Sequence, residues 1–366
     1  MTAVRSIDSA STAVSPELLA EPAAVIELLG LEQYVHRLLY TAVPDETLNT
    51  LYHTRLQDTC AIEQLASPGT DPEALRLFHA VLYRIYVAHL ALPWEHEALN
   101  VHHPLFAWIL RELQDAADSQ DQRRIRDAVS VGPTTADEFC EFLHEYIRRH
   151  RSSEMHPLFP YLRDEASYAQ LREFHYQETP LDIHFADILS LMMAGLPGPI
   201  RLELAANYWD EVGRGDLERT HRNLRLCLMR SYGISERIHL DAIETFVWEE
   251  LALANLYFRS VLDRSALVQS FGIMLATEMA VPGRVEYQLE GCRRAGVPEE
   301  ALAYLTEHVA VDGYHAMGWA DQVVRPILRR RFDLAPTLMT GVSGRLELAA
   351  AVCDRMLSEL RAPRVS

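Results

Sequence analysis

The stretch HVAVDGYH, residues 308–315, sets His308, Asp312 and His315 at i, i+4 and i+7 among small apolar residues. A helix turns by about 100° per residue, so the second and third fall within roughly 40° of the first. Three side chains able to ligate a metal then share one stripe. A second set lies upstream in ANYWDEVGRGDLERTHRNL, where Glu211, Glu218 and His221 are separated by seven and three residues. Gly213 and Gly215 lie between them, and each weakens helix by about 1 kcal/mol relative to alanine. A bend is therefore expected there, and only the Glu218–His221 pair has assured facing. A carboxylate from a third helix would complete such a centre. Glu178 in HYQETP, just ahead of Pro180, is the leading candidate near a helix start, with Asp182, His184 and Asp187 as neighbouring alternatives.

Imidazole and carboxylate donors of intermediate hardness suit iron or manganese. Carboxylate bundles that bind two irons use glutamates and Glu-x-x-His elements projecting into the core from facing helices. Glu178, Glu211, Glu218 and Asp312, if ionised, balance two ferrous ions, and the three imidazoles complete coordination. Without a cation, carboxylates converging in a core repel one another and become protonated. A manganese–iron pair accepts the same donors.

The surrounding sequence predicts an all-α protein. Segments such as DPEALRLFHAVLYRIYVAHLAL, TADEFCEFLHEYIRRH, HLDAIETFVWEELALANLYFRSVL and RSALVQSFGIMLATEMAV carry apolar residues at three- and four-residue steps. Pro133 separates two helices, with Thr135 or Asp137 placed to cap the second. Residues 1–22 read as a disordered tail, 23–135 as an N-terminal helical segment, and 136–366 as the metal-binding domain with a C-terminal helix.

Bulk properties narrow the partners. The chain has 366 residues, 49% of them hydrophobic, and a net charge of −18 that opposes binding to a phosphate backbone, so no nucleic acid is expected. No apolar run approaches the roughly 20 residues that span a bilayer, so no membrane partner is expected. Cys60, Cys140, Cys227, Cys292 and Cys353 are odd in number and far apart, which fits reduced thiols in a cytoplasm.

The ordered set YQETP, YWDEVGRGDLERTH and TEHVAVDGYH resembles the haem-oxygenase-like di-iron oxidases and oxygenases, a family also called iron-containing redox enzymes. The resemblance covers roughly residues 140–335. It implies a haem-oxygenase-like bundle in which Glu178, Glu211, Glu218, His221, His308, Asp312 and His315 hold two irons in place of haem. It also implies O₂ as co-substrate and one of four reactions on small metabolites: N-oxygenation, oxidative C–C cleavage, decarboxylation or desaturation. The extra carboxylate supplied by having both Glu211 and Glu218 looks more like members that oxygenate nitrogen, which points to a small amine or amino-acid-like substrate. The segment before residue 140 helps to form a dimer in some relatives, so a homodimer is an expected assembly, and an external electron donor a further expected partner.

Competing readings attach to other residues. Glu141 and His144 share the Glu-x-x-His spacing but read as a solvated face, and His96, His102 and His103 read as surface or capping groups. Tyr208 and Trp209 read as core packing ahead of substrate stacking. Glu278 lies in a strongly apolar helix, where a carboxylate needs a partner. An arginine or water at the helix surface is the ordinary solution, and a substrate amine or a histidine the functional one. A haem-binding protein on the same fold would need one axial histidine and a slot without these carboxylates. A helical interaction or iron-handling protein would need no turnover at all.

Overall fold

Helix starts in this chain are set by local chemistry, as the computed structural model shows. The structure describes residues 35–36, 38–40, 42–55, 71–92, 94, 99–125 and 133–362, with the side chains of 54–55 and 310–314 outside that set. Among the described residues every regular element is helical. The expected tail 1–22 and Cys60 lie outside the described residues.

Two compact units divide the chain, residues 1–117 and 118–366. The first contains α1 (Asp45–Arg55), α2 (Pro72–Ala88) and the start of α3 (Pro104–Ile125). The division falls inside α3, ahead of the boundary at 135/136 expected from the sequence. The Asp71 carboxylate accepts from Glu73 N–H at the head of α2 while Pro72 occupies a position where no amide donor is needed. The buried face of α2 carries Phe78, Leu82, Tyr83 and Tyr86.

The second unit begins with the remainder of α3 and continues through α4 (Ala136–Arg149), α5 (Leu158–Asp164), α6 (Tyr168–Gln177), α7 (Thr179–Asp182) and α8 (Phe185–Met192). There follow α9 (Gly198–Glu211), α10 (His221–Ser231), α11 (Ile238–Asp241), α12 (Trp248–Leu262), α13 (Leu267–Arg294) and α14 (Ala303–Gly318). A π-helical turn, Trp319–Val324, leads into α15 (Arg325–Arg330) and α16 (Ala335–Arg361). Thr135 caps α4, as expected, and Ser167 with Gln170 forms a reciprocal capping box on α6.

α13 is the axis of this unit. It packs along α16, α14 and α5, and α12 lies against both α13 and α16. α13 and α16 meet at backbone contact: a Cβ on Gly272 would run into the Leu338 carbonyl, and one on Gly341 into the Gln269 carbonyl. Only glycine permits that approach. Contrary to the reading from sequence, Arg264–Arg294 is long and apolar enough, by length and composition, to cross a membrane, and over half of its apolar window is buried inside the protein. Cys140, Cys292 and Cys353 are buried free thiols.

Candidate metal centre

α9 ends on Glu211, and a tight loop returns the chain so that α10 begins on His221. The anticipated bend is a full break. Gly213, Arg214 and Gly215 all have positive φ (65°, 55° and 89°), and a Cβ on Gly213 would lie 2.6 Å from Thr220 N. Glycine is what lets the loop close this tightly. The Thr220 hydroxyl then accepts from Asn223 N–H and starts α10. The result sets His221 Nδ1 3.0 Å from Glu211 Oε1, both residues buried.

His308 of α14 completes a group. One donor atom from each of Glu211, His221 and His308 lies within 4.8 Å of the others. The rings of His221 and His308 are 4.7 Å apart. His308 Nδ1 donates to the Tyr304 carbonyl at 2.8 Å, so the lone pair of its neutral ring is on Nε2. Burial, and then the neighbouring His221, push His308 down to about 4 and keep it neutral. Burial opposes charge on His221 as well, but Glu211 outweighs it and its pKa lies above the ordinary imidazole value.

These side chains line a cavity of about 110 Å³ together with Glu178, Asp182, Glu250 and Glu278. Glu178 ends α6, 3.3 Å from His175 Nδ1. Arg225, fully buried, sits between Glu178 and Asp182, its guanidinium 3.9 Å from the first and 3.3 Å from the second. Burial nevertheless pushes Asp182 up to about 6 and Glu250 well above the carboxylate range. The wall thus holds more carboxyl groups than its cations balance.

The donor set fits iron. His221 Nδ1 is buried and has no hydrogen-bond partner, because its 3.0 Å approach to Glu211 is not aligned as a hydrogen bond. A buried imidazole nitrogen and a carboxylate that meet as an ion pair without an aligned hydrogen bond are a donor pair that one cation could share. Two imidazoles and one carboxylate form a ligand set typical of non-haem ferrous sites.

The remaining expected residues are placed differently. Glu218 is exposed on the 3₁₀ turn Leu217–Arg219, so the Glu218–His221 pair trusted from spacing is not formed, while the doubted pair Glu211–His221 is. The helical stripe continues on past His308, but the Asp312 side chain lies outside the described residues. His315 is buried beside a different pair, with Nε2 3.0 Å from Asp210 Oδ2 and Nδ1 3.6 Å from Glu278 Oε2. Glu278 is therefore buried with a histidine, not at the helix surface with arginine or water. Trp209, expected in the core, is 54% exposed and covers Gly215; Tyr208 is half-buried, and neither lines the cavity. Of the alternatives to Glu178, Asp182 lines the cavity, whereas His184 and Asp187 pair with each other at 3.2 Å. Glu141 and His144 are exposed, as a solvated face requires.

Sequence reasoning missed Asp210, Glu250 and Arg225. Spacing along a single helix does not single any of them out, and only the packing of α7, α9, α10, α12 and α14 gives each a role. The one available signal was a charged residue at an apolar-face position, as in Glu250 of α12.

Residues 172–350 match the model of a family described as iron-containing redox enzyme. A comparison with curated proteins found no match. The matched span contains the three clustered donors and all the cavity carboxylates.

Proposed function

Because this chain belongs, through residues 172–350, to the family of iron-containing redox enzymes, an all-α oxidoreductase family of haem-oxygenase-like fold, we propose that it is an O₂-dependent non-haem di-iron oxygenase that N-oxygenates a small amine or amino-acid-like metabolite. The observation that carries the reading is the buried Glu211–His221–His308 group on the wall of a cavity holding further carboxylates.

In this proposal Glu211, His221 and His308 hold one ion, and Glu178 and Asp182 supply carboxylate to its neighbour. Glu218 and His315 would join on loading, and Asp312 is a further donor in this reading. Bound ferrous iron supplies the electrons that reduce O₂. The protein's share is positional. The Tyr304 carbonyl fixes the His308 tautomer. Arg225 balances Asp182, and with His175 it balances Glu178, before metal arrives. Leu181, Phe185, Leu253, Val281 and Leu305 give the cavity apolar walls that limit water. The five carboxylates lining it favour a substrate that brings positive charge or an N–H donor.

Anaerobic ferrous titration, followed by O₂ and a panel of amines, tests the reading. It predicts two irons per chain and products heavier by whole oxygen atoms. Fragmented or dehydrogenated products would instead indicate cleavage or desaturation at the same centre.

A further inference from the structure

Two arginines in the same cavity are placed for a ligand the iron donors do not explain. Arg345 of α16 is 3% exposed and lines the cavity, yet its Nη1 is buried without a hydrogen-bond partner. Arg284 of α13, stacked 4.8 Å above the Phe159 ring, also lines the cavity and leaves Nε unpartnered. Among the described residues neither guanidinium has a carboxylate within ion-pair distance, although Glu250 lines the same space. A buried charge left without a direct ion pair is costly, and Arg345 is such a charge, with the half-buried Arg284 beside it.

Arg345 is also aimed. Its Nε–H donates to Tyr257 Oη at 3.3 Å, the Tyr257 hydroxyl donates to Thr277, and the Thr277 hydroxyl donates to the Ile273 carbonyl at 2.8 Å. That chain of hydrogen bonds runs in one direction and ends on backbone. It holds the guanidinium by Nε and leaves the Nη edge for an occupant.

We propose that Arg345 and Arg284 form a carboxylate-binding subsite, so that the substrate is an amino acid or amino-acid-like acid held by its carboxylate at the arginines with its nitrogen toward Glu211, His221 and His308. This rests on the reading of the cavity as the substrate pocket. A planar carboxylate matches the guanidinium fork. A dianion is disfavoured, because five carboxyl-bearing side chains line the same cavity. Size agrees, since an engineered cavity of about 150 Å³ accepts benzene and this one measures about 110 Å³ before any side chain adjusts. The occupant is a compact molecule of amino-acid size. The arginines come from α13 and α16 and the imidazoles from α10 and α14, so the subsite and the metal group belong to separate helices.

The test is binding, read by calorimetry and by thermal shift, on the full chain in iron-free and anaerobically iron-loaded forms. The probes are unbranched ω-amino acids from glycine to 6-aminohexanoate, the corresponding n-alkylamines, and inorganic phosphate. At least one amino acid should bind about 10- to 100-fold tighter than its amine, the range expected for one charge-assisted pair. Arg345→Gln and Arg284→Gln should each erase that difference by weakening acid binding, with amine binding unweakened or strengthened as a cation leaves the carboxylate-lined cavity. Arg284 is only half-buried, so Arg284→Gln keeps the test alive if Arg345→Gln does not fold. Equal binding of acid and amine, no binding of any acid at millimolar concentration, tighter binding of phosphate, or unaltered acid binding in a folded variant would overturn the subsite. Carboxylate binding without iron uptake would leave the subsite standing and remove the di-iron reading.

Discussion

His221 Nδ1 lies 3.0 Å from Glu211 Oε1 across a loop whose left-handed residues, Gly213 to Gly215, bring the end of one helix onto the start of the next. The two side chains converge without an aligned hydrogen bond, and His308 closes the group from a third helix. Glu211→Gln should therefore lower ferrous affinity by more than the roughly 10- to 100-fold that follows loss of an outer partner. Thermal unfolding of the iron-free protein should change little by comparison. Anaerobic titration with metal analysis reads the first, and a melting curve the second.

The exposed position of Glu218 gives a test of the proposed second ion. If Glu218 joins only on loading, Glu218→Gln leaves uptake of the first iron intact and abolishes or weakens the second by about 10-fold or more, whereas His308→Ala loses both. Stoichiometry by elemental analysis after anaerobic loading and gel filtration distinguishes them. Two full equivalents bound by Glu218→Gln would remove Glu218 from the ligand set.

What could be read from sequence divides along a physical line. Helices were legible because apolar spacing repeats within one segment, and His308 was legible because its stripe is local. The relation of Glu211 to His221 was harder. Helical geometry favoured Glu218 as the partner of His221, and the left-handed turn at Gly213–Gly215 reversed the preference by ending the helix at Glu211. Trp209 was misplaced because an aromatic next to a ligand candidate reads as core, whereas α9 turns that face outward over Gly215. Arg345 and Glu250 could be given no role from sequence beyond that of a charge on an apolar face, since the cavity that gives them meaning is built from α12, α13 and α16 together.

The contact between α13 and α16 makes a separate prediction about stability. Gly272→Ala should push the Leu338 backbone away and destabilise by about 1–3 kcal/mol or more, the range for overpacking. Gly344→Ala is the control: its Cβ would meet only Leu256 methyl groups at 3.9–4.0 Å, so the change should be neutral or stabilising by up to about 1 kcal/mol. Urea midpoints at constant m-value give both numbers.

His239 governs part of the acid limb. It is buried, and burial, then His184 and Arg222, push it down to about 2. The folded state resists the proton that the unfolded chain accepts near pH 6.5, so this stability is complete above pH 6.5 and is lost as pH falls from there toward 2. The slope is at most about 1.4 kcal/mol per pH unit. His239→Leu should flatten the decline between pH 6.5 and 4.5, and urea unfolding of the iron-free protein at several pH values checks it. An unchanged slope would show that His239 is charged when folded.

Arg225 and a bound cation compete for the same carboxylates. The guanidinium lies 3.3 Å from Asp182 and 3.9 Å from Glu178, fully buried, so in the iron-free protein it is the principal counter-charge of Asp182 and shares Glu178 with His175, which lies 3.3 Å from that carboxylate. Removing one member of a buried ionic group costs about 3–5 kcal/mol, because the partners are left uncompensated. Arg225→Gln should destabilise the iron-free protein by about that amount. The same substitution removes a positive charge beside the proposed iron donors, so ferrous affinity should rise, and iron should restore more stability to the variant than to the parent. Melting temperatures with and without ferrous ion, taken anaerobically, measure both effects together. If iron stabilised the two proteins equally, Arg225 and the metal would be acting on different carboxylates, and Glu178 and Asp182 would leave the proposed donor set.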